Sequence, residues 1–321
     1  MNHKNINELD KIINSHYSNI TGAVILKNCE TVYESYFNEY TADHAVHVYS
    51  VTKSVFSALI GIAIDKGYIK DVDQKILDFF PDYTVLQDEK TIKGITIREM
   101  LTMTAPYKYE SEPYEEFFAS ENWVTFALDL LGGTGKRGEF LYSAIVGTHI
   151  LSGLLVKATG QSVLDFANEN LFLPLGIHVP KNIALLNKEE HIAVMKDKNS
   201  SGWVVDPQGS NTAGWGLFLT PADMAKIGQL YLNSGMWEGK QIVPAWWVDE
   251  STKEHSRWGE LPYGYLWWII DGDSYAALGD GGNAIYVNTK EKLVVSIASL
   301  LTPNAKDTME LIKAHIEPMF I

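Results

Sequence analysis

The sequence predicts an α/β (α+β) fold: an antiparallel sheet flanked by helices, built from both chain ends, with a mainly helical domain inserted between them. Three observations lead there. β-rich runs cluster near the N-terminus, at residues 22–37, and again in the last third, at residues 263–300. Between these clusters the apolar residues recur mostly at helical spacing. No internal repeat or low-complexity linker interrupts the chain. Residues 1–47 and 203–321 are therefore assigned to the sheet domain and residues 48–202 to the helical insertion.

Taken in order, residues 1–15 carry Ile6, Leu9, Ile12 and Ile13 among polar neighbours, the pattern of a helix that docks by one face and lacks the apolar core of a secretion signal. Residues 22–26 and 31–37, joined by four residues, read as a hairpin. After Ser50, apolar residues at Val51, Val55, Ala58, Leu59, Ile62 and Ala63 define a helix that Gly67 can stop. Residues 68–87 are a connection; its Asp71-Val72-Asp73 lacks the glycine and terminal glutamate of a calcium loop. Residues 95–103 read as helical. Residues 105–120, rich in Pro, Tyr and Glu, read as a surface excursion able to border a site. The glycines of residues 131–137 lack the spacing of a phosphate loop, and Arg137 stands where that loop needs Ser or Thr.

Residues 140–144 lead into an apolar helix through Ile145, Ile150, Leu154 and Val156, ended by Gly160, and residues 166–177 read as a second helix and turn. Residues 181–208 are weakly patterned and are expected to be loop-rich. Thr220-Pro221-Ala222-Asp223 announces a helix running to about Asn233, with Thr at the N-cap and Pro at the first helical position. A further helix is expected from Pro244. Strands are expected at 263–270, 274–278, 284–287 and 293–300, and a closing helix at about 305–316.

Composition narrows the function. With 26 Lys+Arg against 40 Asp+Glu the formal net charge is -14, and no basic run interrupts it, which argues against nucleic acid as a partner. Nine tryptophans and sixteen tyrosines in a chain that is 46% hydrophobic point to a packed globule with aromatic-lined surfaces. Cys29 is the single cysteine, so no intrachain disulfide can form. No apolar stretch is long enough to span a bilayer, and a cytoplasmic protein without membrane contact is expected.

Chemistry concentrates at Ser50-Val51-Thr52-Lys53. A hydroxyl and an amine three residues apart share one side of a first helical turn, where the amine can take or share the hydroxyl proton. The helix N-terminus adds positive potential for a developing oxyanion. Taken alone, these residues read more simply as an N-cap serine followed by a solvated lysine, and the rest of the chain must decide. Gly279-x-Gly281-x-x-Ala284 has dinucleotide-loop spacing, but a strand-like Ile285-Tyr286-Val287 follows where that loop needs a helix. His44 and His47 could meet on one helical face, without a third metal ligand at suggestive spacing.

Over nearly its full length the chain resembles the serine β-lactamase and penicillin-binding-protein-like hydrolases, in the branch of class C lactamases, DD-peptidases, lactamase-fold esterases and nylon-oligomer hydrolases. Three markers stand in that family's order: Ser50-Val51-Thr52-Lys53 as the Ser-x-x-Lys box, Tyr142-Ser143-Ala144 at the Tyr-x-Asn box, and Asp280-Gly281-Gly282 at the Lys/His-x-Gly box. Met100-Leu101-Thr102-Met103-Thr104 and Gly214-Trp215-Gly216-Leu217 support it. The resemblance implies Ser50 as nucleophile, Lys53 and Tyr142 as one proton-transfer unit, and the backbone N–H groups of Ser50 and Asn283 as the oxyanion hole. It implies Ala144, Trp215, Asp280, Gly281 and Gly282 as substrate contacts, with no metal or cofactor. Which of Lys53 and Tyr142 is the base stays open.

Two departures bear on the substrate. Ala144 removes the amide of the second box, and Asp280 replaces a cationic or imidazole group, repelling a substrate carboxylate. The expectation is a serine hydrolase acting on a small-molecule ester or amide, neutral or amine-bearing, a class that includes cyclic and D-amino-acid types. Two alternatives stand beside it: a catalytically silent binding or sensor module, and a true β-lactamase or DD-peptidase.

Overall fold

The computed structural model describes residues 3–86, 88–185 and 188–321. Its centre is an eight-stranded antiparallel sheet of β1 (Ile20–Lys27), β2 (Glu30–Tyr36), β3 (Ser256–Trp258), β4 (Leu261–Tyr263), β5 (Trp268–Asp271), β6 (Ser274–Gly279), β7 (Asn283–Asn288) and β8 (Leu293–Ser299), in the order β2-β1-β8-β7-β6-β5-β4-β3. The predicted class is the observed one. The N-terminal hairpin joins the C-terminal meander through β1 and β8, with Ala23 opposite Ile297 and Ile25 opposite Val295.

Helices cover both faces because the strand side chains alternate. In β8, Leu293, Val295 and Ile297 face one hydrophobic cluster, and Val294 and Ala298 face another. The first cluster is closed by α1 (His3–His16), through Leu9 and Ile13, and by the closing helical stretch, through Leu311, Ile312 and Ile316. The second is the main core. Its axis is α2 (Val51–Asp65), in which every residue from Val51 to Ala63 is buried. A helix with apolar residues on every side lies inside the protein, and its few polar groups there need partners. α3 (His149–Thr159) packs against it, and α4 (Pro221–Leu232) lies on β7 and β8 behind the capping box of Thr220 and Asp223 that the sequence announced.

Four expectations change. The single strand at 263–270 is two strands, β4 and β5, because Leu266 takes a left-handed φ of 61° and the Gly264 N–H closes the turn on Trp267 O at 2.8 Å. The loop-rich 181–208 holds two short parallel strands, Asn182–Ala184 and Trp203–Val205, and the helix Lys188–Lys196; their pairing spans some twenty residues of chain and leaves no local signal. The helix expected from Ile145 is regular only from His149. The pair His44 and His47 shares no helix: His47 sits in a two-residue strand opposite Phe218, and His44 Nδ1 accepts from the Thr41 N–H.

Candidate active site

Three elements converge at the start of α2. The short strand Val46–His47 leads into Tyr49, whose left-handed φ of 49° is costly for a bulky residue and turns the chain sharply toward the helix. Ser50 then occupies the N-cap position, yet its hydroxyl makes no capping bond. Lys53 Nζ donates to Ser50 Oγ at 2.9 Å and to the Gly214 carbonyl at 2.8 Å. Lys53 is 1% exposed, so it is not the solvated lysine of the cap-only reading. The Tyr142 ring lies beside it, with its centroid 5.2 Å from Nζ, and stacks on Trp268 at 5.8 Å.

The hydroxyl faces a cleft of about 270 Å³, whose walls include His47, Tyr49, Tyr114, Phe118, Ala144, Trp215 and Asp280. A larger hollow of about 640 Å³, between Pro81 and Ser210, contains none of the predicted residues, and size alone does not mark the site. Trp215 is held edge-on by His47 and Phe118. Burial and the Asp280 charge push Tyr49 up to about 12, so its hydroxyl is neutral at ordinary pH. Burial, then the charge of Glu112, also raises Tyr114, with a smaller contribution from Asp280. Asp280 is thus the carboxylate in the cleft wall, and Glu112 acts on the cleft through Tyr114. Among the described residues no three His, Cys, Asp or Glu side chains gather as a metal site needs. Asp73, from the calcium-loop look-alike, is held instead by Arg98 at 2.8 Å.

The third marker is displaced from its predicted position. The glycine pressed against Ser50 is Gly279, at the end of β6: a Cβ there would lie 2.2 Å from Val48 O and 3.2 Å from Ser50 N. Asp280 follows it into the cleft. Gly281 and Gly282, predicted to contact substrate, pack elsewhere. Gly281 abuts Leu300 and Leu301, and Gly282 abuts Thr308, whose hydroxyl donates to the Gly282 carbonyl at 2.9 Å. Their positive φ values of 78° and 92° serve the β6–β7 turn. Asn283, predicted as an oxyanion donor, stands one strand away opposite Gly279, its amide donating to Asp280 O and Ser299 O. It does not line the cleft. Two glycines beside a turn look alike in sequence whether they face a ligand or a helix terminus.

Glu112 escaped the sequence reading. Its carboxylate accepts from the Ser143 hydroxyl at 2.5 Å and from the N–H groups of Ala144, Ile145 and Val146 at 3.0, 3.1 and 2.9 Å. Those donors lead into α3, and an acidic group there is doubly favoured. Glu112 therefore pins the segment that carries Tyr142. Ser143 is further fixed by Tyr109, and its Oγ accepts the Gly147 N–H at 2.8 Å. The excursion at 105–120 was expected to border a site, and it does so through Tyr114 and Phe118. The placement of Glu112 is decided by contacts more than thirty residues apart in sequence.

The profile of the family described as Beta-lactamase matches residues 13–316. The chain is 20% identical over 309 residues to the 6-aminohexanoate-dimer hydrolase of Paenarthrobacter ureafaciens, covering 88% of this chain and 73% of that one. A family VIII carboxylesterase superposes with a TM-score of 0.71 at 17% identity, covering 98% of this chain and 96% of its own. A penicillin-binding protein homologue from Caulobacter crescentus superposes with a TM-score of 0.69 at 14% identity, covering 94% and 93%. Structural likeness at these identities shows a shared fold.

Proposed function

The chain belongs to the β-lactamase family, and from that premise we propose that it is a serine hydrolase cleaving a small ester or amide through an acyl-enzyme on Ser50. One observation carries the reading: a buried Lys53 amine, held by the Gly214 carbonyl, lies 2.9 Å from the Ser50 hydroxyl. A serine hydroxyl needs a base at hydrogen-bond distance, and this is that distance.

Ser50 Oγ attacks the carbonyl carbon while its proton passes to Lys53 Nζ. The carbonyl oxygen becomes an oxyanion at the N-terminus of α2, held by the Ser50 N–H and the Asp280 N–H. Asp280 takes the part first assigned to Asn283, since Gly279 brings the chain alongside Ser50 N. Collapse of the intermediate breaks the C–O or C–N bond, and Tyr142, which relays the Lys53 proton, protonates the leaving group. Water then attacks the acyl carbon, the same pair returns its proton to Ser50 Oγ, and the acid departs. Read from Gly279 backwards, the third box is Ala277-Leu278-Gly279, whose first position carries no cation. Together with Asp280 this supports a substrate without a carboxylate near the reacting carbonyl. The hydrolase named for 6-aminohexanoate dimers and the carboxylesterase agree with an amide or ester as the class.

Incubation with a fluorophosphonate, and separately with p-nitrophenyl acetate, tests the reading. Covalent labelling and turnover that vanish in Ser50→Ala support it. An unlabelled, inactive wild-type protein establishes a silent binding module, and faster turnover of a chromogenic cephalosporin than of any ester or amide establishes a β-lactamase.

A further inference from the structure

A second hollow, of about 390 Å³, adjoins the Ser50 cleft, and the two share His47 and Tyr49 as a common wall. Its remaining surface is largely apolar: Tyr40, Val46, Ile192, Met195, Leu300 and Leu301. Leu301 is 58% exposed and Ile192 is 45% exposed, so apolar surface stands open to water at its edge. Leu300 also sits against Gly281, so this hollow is fixed to the same turn that delivers Asp280 to the cleft. Among the described residues, the one carboxylate lining either hollow is Asp280 in the Ser50 cleft. The Ser50 cleft and a largely apolar, water-exposed recess thus meet along His47 and Tyr49.

We propose that this recess is a subsite for an extended, uncharged hydrocarbon arm of the substrate whose carbonyl is attacked by Ser50. The inference rests on the serine hydrolase reading and deepens it: the substrate class becomes an ester or amide with a medium-length alkyl or aryl chain. The occupant follows from continuity. The arm of a ligand seated at Ser50 has only the edge formed by Tyr49 to cross, and burial of its methylenes against Met195, Leu300 and Leu301 would remove apolar surface from water on both partners. A charged or strongly polar arm would lose its hydration against these apolar side chains.

The test uses two substrate series with the intact protein: p-nitrophenyl esters from acetate to octanoate, which lengthen the acyl arm, and acetate esters of ethanol to octanol, followed by acid release, which lengthen the leaving group. Full burial of one methylene corresponds to roughly a fourfold gain in kcat/KM. The expected result is a rise of about two- to fourfold per methylene in one of the two series, with Leu301→Asp and Ile192→Asp each flattening that slope and leaving the rate on the shortest ester within about twofold. Both substituted residues are exposed, so the fold tolerates the change. Flat profiles in both series, with Ser50 still labelled by fluorophosphonate, overturn the subsite and leave the hydrolase reading standing. So does a slope unchanged in both variants. An unlabelled Ser50 overturns the hydrolase reading, and the subsite falls with it.

Discussion

Glu112→Gln is the sharpest probe of how the site is held together. The carboxylate uses both oxygens: Oε1 accepts from Ser143 Oγ and Val146 N, and Oε2 from Ala144 N and Ile145 N. An amide keeps one acceptor and turns two hydrogens toward two N–H groups. Two charge-assisted bonds, at about 1.5–3 kcal/mol each, are lost. Glu112 is only half-buried, so water recovers part of that, and a net local cost of about 3 kcal/mol is expected. The segment 142–146 then relaxes, carrying the Tyr142 ring away from Lys53. A misplacement of about 1 Å costs on the order of 100-fold in rate. The assay is kcat/KM on p-nitrophenyl acetate beside the rate of fluorophosphonate labelling and a urea midpoint. A loss of about 30- to 100-fold in kcat/KM that exceeds the change in KM is expected. Labelling and turnover within twofold of wild type, at unchanged stability, would refute the claim that Glu112 positions the second box.

Three further outcomes follow from the same geometry. Gly279→Ala places a methyl 2.2 Å from Val48 O; overpacking of about 1–3 kcal/mol is expected to lower Tm by several degrees, and the shift of β6 from Ser50 to lower kcat on the order of 100-fold, read by thermal melts and steady-state kinetics. Asp280→Asn removes an exposed negative charge beside the cleft, and turnover of an ester bearing a carboxylate near its carbonyl is expected to rise by roughly three- to tenfold relative to its neutral counterpart; an unchanged ratio refutes the repulsion. Burial raises the Glu99 carboxyl, but the Arg137 guanidinium and the Thr96 N–H outweigh it and hold the group below its ordinary value of 4.5. Because the folded-state value is the lower one, this stabilisation is complete above about 4.5 and is lost as pH falls through the folded value. In acid unfolding curves Glu99→Gln is expected to be less stable than wild type near neutral pH, the gap narrowing below pH 4.5.

Much of this protein was legible in one dimension. The helix after Ser50 and the helix behind Thr220-Pro221 are specified by local spacing and capping, which read directly from neighbouring residues. Ser50 and Lys53 are a turn apart in sequence and a hydrogen bond apart in space for the same reason. The sheet was foreseeable from β-rich runs at the two chain ends, although the division of residues 263–270 into two strands depended on a left-handed Leu266 that no composition requires.

The sequence by itself determined the fold class and the pairing of Ser50 with Lys53, because helix periodicity and an i, i+3 pair are local properties of the chain. Only the tertiary structure decided which glycine touches Ser50, and that a glutamate from a distant loop anchors the segment after Tyr142. Those depend on the β6–β7 register and on a loop folding back across thirty residues. Non-local contacts of this kind are selected by burial and hydrogen-bond satisfaction over the whole molecule, so the residues that make them carry no mark in their immediate neighbours.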